Sequence, residues 1–149
     1  MLIELVPLKP GDPDLDELLR IHQEPSVSRF ISISDNYFNY VTETEDVCYY
    51  KIITNERLAG GLHSEIHSET VYLSICVDEK YRRLGIAEKS LKIFFSIMPS
   101  YIKTIEASIE ETNIPSVLLF QKLGFQVSEQ DNELITYRKF VIANPGQSK

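Results

Sequence analysis

The sequence predicts one α/β (α+β) domain, with a mixed, mostly antiparallel central sheet and helices on both faces. Its 149 residues are the usual length of one domain and enough to bury a core. Several short runs alternate apolar and polar residues, as half-buried strands do. One strand–helix–strand succession, over residues 71–109, requires a parallel crossover among strands otherwise joined as hairpins. We expect the domain to occupy residues 1–143, followed by a frayed tail over 144–149.

The first half begins with a strand, two helices and a loop. The alternating "MLIELVPL" predicts the strand, and "DPDLDELLRIHQE" predicts a helix starting near residues 12–14. "PSVSRFIS" favours a second short helix, and the polar, aromatic residues 32–46 favour a loop. Next, "VCYYKIIT" and "LAGGLHSEIH" read as a hairpin, with "ETVYLSICVD" as the following strand.

The second half carries clear helix boundaries. Apolar residues recur at helical spacing from Ala87 to Met98, and Pro99 ends that helix. "TIEASI" is typical of a strand. "NIPSVLLFQKLG" predicts a short helix capped by Asn113 and ended by Gly124. "FQVSE" and "ELITYRKFV" complete the sheet as a last strand pair.

Charge and composition narrow the classes of function. The formal net charge of −7 argues against nucleic acid or an anionic membrane as a partner and suits a cationic one. No apolar run could span a bilayer and no signal peptide is evident, so we expect a cytoplasmic location. Cys48 and Cys76 have no motif spacing and are expected to be free thiols. His63 and His67 lack a third ligand, so we expect no metal site.

The stretch "YRRLGIAEKS" places two arginines directly before a predicted helix. The first turn of a helix has unpaired N–H groups and a partial positive charge, where phosphates bind readily. Gly85 permits a tight turn, Ala87 leaves the amides open, and Arg82 or Arg83 can add a charge-assisted contact. Alternatively, this is an ordinary strand–helix turn whose arginines aid solubility and whose Glu88 only caps the helix.

Two segments together resemble the acyl-CoA-binding region of the GNAT superfamily of N-acetyltransferases. The first is the family pattern Gln/Arg-x-x-Gly-x-Gly/Ala, matched by Arg82, Gly85 and Ala87 after "LSICVD". The second is similar to the family's Asn-x-x-Ala-x-x-Leu-Tyr-x-x-x-Gly-Phe segment, through Asn113, Ser116, Leu119, Gly124 and Phe125. Two linked motifs in the right order are more specific than either alone. The resemblance covers about residues 57–128.

The resemblance implies an N-acetyltransferase that moves an acetyl group from acetyl-CoA to a primary amine of a small molecule or peptide, by direct attack in a ternary complex. It implies a V-shaped opening between parallel strands 71–77 and 104–109, with the Val77 amide near the thioester carbonyl. Members of the family often dimerise, so it also implies that a homodimer can form. The residues implied to bind acetyl-CoA are Ile75, Cys76, Val77, Arg82, Arg83, Leu84, Gly85, Ile86, Ala87, Glu88, Asn113, Ser116 and Phe120.

The sequence differs from the family pattern at the residue that would protonate the thiolate leaving group. Many members use the tyrosine of the second motif, and that position here is Phe120. The thiolate could leave unassisted, since thiols are fairly acidic; by side-chain type, Tyr137 or Tyr72 could replace the donor. The remaining alternative is a non-catalytic acyl-CoA-binding or sensor domain. A dinucleotide-binding domain is disfavoured, because Gly-x-Gly-x-x-Gly is missing.

The general base is sought in "GGLHSEIHSET". Strand alternation puts His63, Glu65, His67 and Glu69 on one face, so facing does not choose among them. We take Glu65 first, because a mid-strand carboxylate suits water-mediated deprotonation, and His63 second, for its near-neutral pKa. The alternative interpretation of each of these four residues is that it is a strand residue facing solvent, with no catalytic role. Aromatic residues at 37, 38 and 40 either wall the acceptor site or pack beneath the loop.

Overall fold

The strands and helices follow the predicted order, with one additional helix. The structure, a computed structural model, describes residues 1–141, so the predicted domain end at residue 143 and the tail over 144–149 lie outside the described residues. The strands are β1 (Ile3–Pro7), β2 (Val47–Thr54), β3 (Arg57–His67), β4 (Thr70–Val77), β5 (Thr104–Glu110), β6 (Gln126–Asp131) and β7 (Leu134–Phe140). The helices are α1 (Leu15–Gln23), α2 (Pro25–Ser28), α3 (Tyr37–Glu43), α4 (Ile86–Ile97) and α5 (Ile114–Lys122), with a 3-10 turn at Glu79–Tyr81.

All seven strands belong to one sheet, in the order β1-β2-β3-β4-β5-β7-β6. Its neighbouring strands are antiparallel except β4 and β5, which are parallel and connected through α4. This confirms the predicted mixed, mostly antiparallel sheet. None of the helices within residues 1–141 is long and apolar enough to cross a membrane.

The two faces of the sheet are covered by different helices. On one face, α4 and α5 insert Leu91, Phe94 and Phe120 into a core shared with the central strands. On the other, α1 and α3 pack Leu18 and Val41 against β2. The residue-by-residue alternation of the strands separates these two cores. The predicted placement of helices on both faces is therefore confirmed.

Helix α3 corrects the expectation of a loop over residues 32–46. It has no proline in its first turn and no glycine at its end, so the local sequence gives little sign of it. Val41 is 2% exposed and packs in one core cluster with Tyr49 of β2. Short helices are stabilised mainly by tertiary packing of their apolar side, and that packing is what the sequence pattern did not reveal.

Strands β4 and β5 pair for only three residues and then part. Thr70–Tyr72 pair with Thr104–Glu106, and no later pair follows. Beyond that point, one edge of β4 faces a gap. The Asp78 amide donates to the Ala59 carbonyl at 2.7 Å, so the alternation of an antiparallel ladder turns the backbone groups of residues 73, 75 and 77 toward the gap. The predicted V-shaped opening is present.

Candidate active site

A cavity of about 630 Å³ occupies the opening between β4 and the first turns of α4 and α5. Most of the residues predicted to bind acetyl-CoA line it: Ile75, Cys76, Val77, Arg82, Arg83, Gly85, Ile86, Ala87, Glu88, Asn113 and Ser116. Two predicted residues do not. Leu84 lines neither this cavity nor the smaller one beside it, and Phe120 lines only the smaller one. The predicted set therefore converges on one place in the fold.

The turn before α4 presents backbone amides to this cavity. Arg83 and Gly85 both adopt left-handed backbone, with φ of 64° and 75°. Glycine adopts that conformation without the strain that a side chain brings. The first hydrogen bond into the helix runs from the Lys89 amide to the Gly85 carbonyl at 3.1 Å. The amides of residues 86–88 therefore have no partner within the helix and are open to an anion.

The two arginines of the turn have different roles. Arg82 donates from Nε and Nη2 to the Val77 carbonyl, at 3.2 and 3.1 Å, and so fastens the turn to the end of β4. Arg83 is exposed, lines the cavity, and makes no side-chain hydrogen bond or ion pair within residues 1–141. Arg83 is thus the arginine that remains available to a bound anion.

Glu88 also lines the cavity, and its negative charge is balanced. Its carboxylate lies 2.9 Å from Lys122 Nζ and 3.0 Å from Lys92 Nζ. The hydrogen bonds from Lys122 and then Lys92 hold the pKa of Glu88 below its usual range. An anion at the start of α4 would consequently meet an ion-paired carboxylate.

Asp78 holds the start of the turn and had no predicted role. Its side chain is 1% exposed and accepts from Arg20 Nη2 at 2.6 Å and from the Lys80 amide at 3.1 Å. Burial raises the pKa of Asp78, but the hydrogen bonds from the Lys80 amide and Arg20 outweigh it and leave the pKa lowered. The pair ties α1 to the turn that precedes α4.

A smaller cavity of about 40 Å³ continues the opening between the parted strands. The side chain of Asn113 makes no helix-cap hydrogen bond, and Asn113 lines both cavities. Phe120, 2% exposed, lines the smaller one, so the position expected to hold a tyrosine hydroxyl does border this site. The lining residues that no motif indicated come from α2, the loop after it, and β5 with the turn that follows: Ser26, Val27, Arg29, Phe30, Ile31, Ala107, Ser108, Ile109, Glu110 and Thr112.

His63 and Glu65 line neither cavity but lie one strand away from the smaller one. His63 pairs across β3 and β4 with Ser74, which lines it. The Glu65 carboxylate lies 3.2 Å from His63 Nε2 and 2.8 Å from His67 Nε2, and accepts from the Tyr40 hydroxyl at 2.9 Å. Burial raises the pKa of Glu65, but the hydrogen bonds from His67, Tyr40 and His63 outweigh this effect and leave the pKa below its usual range.

Neither of the two tyrosines considered as replacement acids borders the opening. Tyr137 is 1% exposed and packs in the core beneath α4 and α5, lining neither cavity. Tyr72 is 42% exposed and lies against the His67 ring, again outside both cavities. Neither position supports direct donation to a group bound in the opening.

Cys76 reaches the cavity wall as a buried, protonated thiol. Its sulfur lies 3.7 Å from His22 Nε2, which in turn lies 2.7 Å from the Tyr49 hydroxyl. Burial raises the pKa of Cys76 to about 11 and lowers that of His22 to about 4. A protonated thiol is a weak nucleophile, so this geometry does not favour a covalent acyl-cysteine. Cys48 and Cys76 are both free, as expected.

Known structures share this architecture. An acetyltransferase from Thermus thermophilus superposes with a TM-score of 0.80 at 17% identity, covering 95% of this chain and 98% of that one. The ribosomal-protein-S18-alanine N-acetyltransferase from Escherichia coli gives 0.75 at 17% identity, covering 97% of each chain. The Campylobacter jejuni N-acetyltransferase PseH, solved in complex with acetyl coenzyme A, gives 0.68 at 14% identity, covering 93% and 99%. At these identities the likeness shows the fold alone.

The sequence itself matches a family model. No curated protein matches the chain significantly. Residues 15–125, more than half of the chain, match the model described as the acetyltransferase (GNAT) family. That match includes both motifs and the turn that opens into the cavity. The chain therefore belongs to the GNAT family, as an acetyltransferase that depends on acetyl-CoA.

Proposed function

We propose that the protein transfers an acetyl group from acetyl-CoA to a primary amine of a small molecule or peptide, by direct attack in a ternary complex. Acetyl-CoA supplies the acyl group already activated as a thioester. The observation that carries the proposal is one cavity that joins the free edge of β4 to the open first turn of α4. The residues fit such a donor, because the space beside Gly85 is open to a bound group: a Cβ built on this glycine meets no atom within 4 Å.

The chain would hold the donor through its backbone and one arginine. The amides of residues 86–88, with Arg83, bind the diphosphate. The backbone groups of Ile75 face the gap and pair with the amides of the pantetheine arm, as an added strand would. The Val77 amide points the same way and donates to the thioester carbonyl oxygen, where negative charge develops. Asn113 contacts the arm from α5.

We assign the proton acceptor to His63, with Glu65 as its positioning residue. The lowered pKa of Glu65 makes it a weaker base than its mid-strand position suggested. His63 lies across from Ser74 at the smaller cavity, and its Nδ1 lies 2.6 Å from the Tyr37 hydroxyl. Glu65 lies 3.2 Å from Nε2 and holds the ring in one orientation, so that the imidazole can accept the proton of the amine through water.

No tyrosine assists the departing thiolate in this proposal. Phe120 has no proton to give, and Tyr137 is enclosed in the core. The thiolate then leaves unassisted, which the acidity of thiols permits. The same phenylalanine favours the second candidate function, a domain that binds acyl-CoA without fast chemistry.

Thiol release from acetyl-CoA, measured against a panel of primary amines, separates the two candidates. Amine-dependent release supports transfer, and CoA binding without release supports the sensor. We expect Gly85→Glu to raise the KM for acetyl-CoA at least about 10-fold, because it adds an anion where the diphosphate binds. Gly85→Gln is the matched control, since it brings the same backbone strain without the charge. Equal effects of both variants would contradict a diphosphate at this turn.

A further inference from the structure

The smaller cavity differs in character from the donor cavity. Its lining is the more polar of the two, with the hydroxyls of Ser74, Ser108 and Ser116 and the amide of Asn113. Among the described residues that line it, Glu110 alone is charged. It adjoins the donor cavity, because the two share lining residues. Those shared residues are Phe30, Ile31, Ile75, Asn113 and Ser116.

Glu110 ends β5, where that strand has already parted from β4. Its side chain is half-buried, and within residues 1–141 its carboxylate has no hydrogen-bond donor and no ion-pair partner. The neighbouring carboxylate on the same strand differs, because Glu106 lies 2.7 Å from Arg138 Nη2. A carboxylate that borders a cavity and has no partner in the protein can form a charge-assisted hydrogen bond with a cationic ligand group.

We propose that Glu110 anchors the ammonium group of the acceptor before transfer. This inference rests on the proposed function and gives it a substrate class. The class is a primary amine on an unbranched carbon, with no negative charge next to the nitrogen. Two features support it. The cavity of about 40 Å³ has room for one small group, and a carboxylate beside the nitrogen would be repelled by Glu110.

Glu110 acts here as a specificity residue, separate from the proton acceptor His63. Charge-assisted hydrogen bonds are among the stronger polar contacts, and losing one weakens binding by about 10- to 100-fold. The loss falls on binding of the amine. The donor lies in the adjoining cavity and keeps its own contacts.

The test compares the full chain with Glu110→Gln. In calorimetric titrations of the CoA-saturated protein with ethylamine, we expect the variant to raise the Kd about 10- to 100-fold. We expect the KM for ethylamine to rise similarly, with kcat and the KM for acetyl-CoA nearly unchanged. The preference for ethylamine over glycine, which carries a carboxylate beside its nitrogen, should narrow. Glu110→Asp should restore part of the affinity.

Glu133→Gln is the matched control. It removes the same charge from an exposed residue whose carbonyl bonds to the Glu111 amide, yet it does not line the cavity. The inference is overturned if ethylamine does not bind the wild type, if Glu110→Gln leaves Kd unchanged, if the control weakens binding equally, or if only kcat falls. Amine binding lost in Glu110→Gln without any wild-type thiol release would support the anchor and contradict the proposed transfer.

Discussion

Gly61 shows how one residue shapes the wall of the donor cavity. It pairs with Cys76 across β3 and β4, and the Tyr49 ring lies directly over it. A Cβ built there would lie 1.8 Å from the Tyr49 hydroxyl oxygen and 2.2 Å from the ring carbon that bears it. Tyr49 is 1% exposed and bonded to His22, so it has nowhere to move. Glycine is required here by close approach.

We therefore expect Gly61→Ala to lower the free energy of unfolding by about 1–3 kcal/mol, as overpacking of a core does. Urea denaturation of both proteins at neutral pH measures the difference. In a Tyr49→Leu background, where the ring is gone, the same substitution should cost clearly less. An equal cost in the two backgrounds would show that the ring is not the obstacle.

At the residue scale, the sequence predicted those cavity residues whose position follows from the spacing of a local motif. Gly85 and Ala87 could be placed at the cavity because a helix start orders its own amides. Glu110 could not, because it reaches the opening only where two strands part. Tyr137 was proposed from its side-chain type alone, whereas strand register turns it into the core.

Helix α1 is fastened to the sheet by a partly buried ion cluster. Lys51 of β2 lies 2.9 Å from Asp12 and 2.8 Å from Asp14, which precede the helix. The side chains of Lys51 and Asp12 are 11% and 5% exposed. Burial raises the pKa of Asp12, but hydrogen bonds from the Asp14 amide, Lys51 and the Lys9 amide lower it overall. The cluster sets where α1, and through it Arg20, meets the sheet.

Lys51→Met should destabilise the protein by about 3–5 kcal/mol at pH 7, because it leaves the Asp12 carboxylate buried without its cation. Since the folded pKa of Asp12 lies below its unfolded value near 3.8, its stabilising contribution is present above that pH and is lost on acidification. The difference between wild type and variant should thus shrink as pH falls from 7 toward 3. Denaturant titrations at several pH values check this, with Lys9→Met as control, because that variant removes an exposed positive charge and keeps the Lys9 amide that bonds to Asp12. A pH-independent difference would contradict the ion-pair account.

At the element scale, the strands and the helices with proline or glycine near their ends were predictable, and α3 was not. The hairpin of β2 and β3 follows from two apolar runs around a short turn, and α5 from its bounding Asn113 and Gly124. Helix α3 has polar neighbours, neither proline nor glycine at its ends, and only seven residues. The sequence does not show what its aromatic residues contact, and the folded structure does. Tyr37 and Phe38 surround His22, each with ring centroids 5.7 Å from it.

Across the whole molecule, the sheet separates an apolar core from a buried polar one. Beneath α4 and α5 the core is almost entirely aliphatic and aromatic. Beneath α1 and α3 lie His22, Tyr37 and Tyr49, and burial raises the pKa of both tyrosines. The sequence pattern predicted helices on both faces but not this difference between them, since alternation reports burial and not the polarity of what is buried. The polar core makes the fold sensitive to acid.

His22 is the group that we expect to dominate this sensitivity. It is 4% exposed, and burial, helped by nearby His63, lowers its pKa to about 4 from the ordinary 6.5. Between pH 6.5 and 4 the unfolded chain therefore binds a proton at His22 that the folded protein does not bind. The free energy of unfolding consequently falls as the pH drops from 6.5 toward 4. The loss at pH 4.5 relative to pH 7.5 amounts to about 2–3 kcal/mol for this group.

The matching variant is His22→Gln, which keeps a hydrogen-bonding group near Tyr49 but does not titrate in this range. Urea denaturation of both proteins at pH 7.5 and 4.5 isolates the contribution of His22, because all other titrating groups are common to the two. The variant will be less stable at pH 7.5, since packing around the ring is lost. Its additional loss on acidification should nevertheless be smaller than that of the wild type by about 2–3 kcal/mol. Equal losses in the two proteins would mean that His22 accepts a proton while folded, and that the buried polar core is more open to water than its packing indicates.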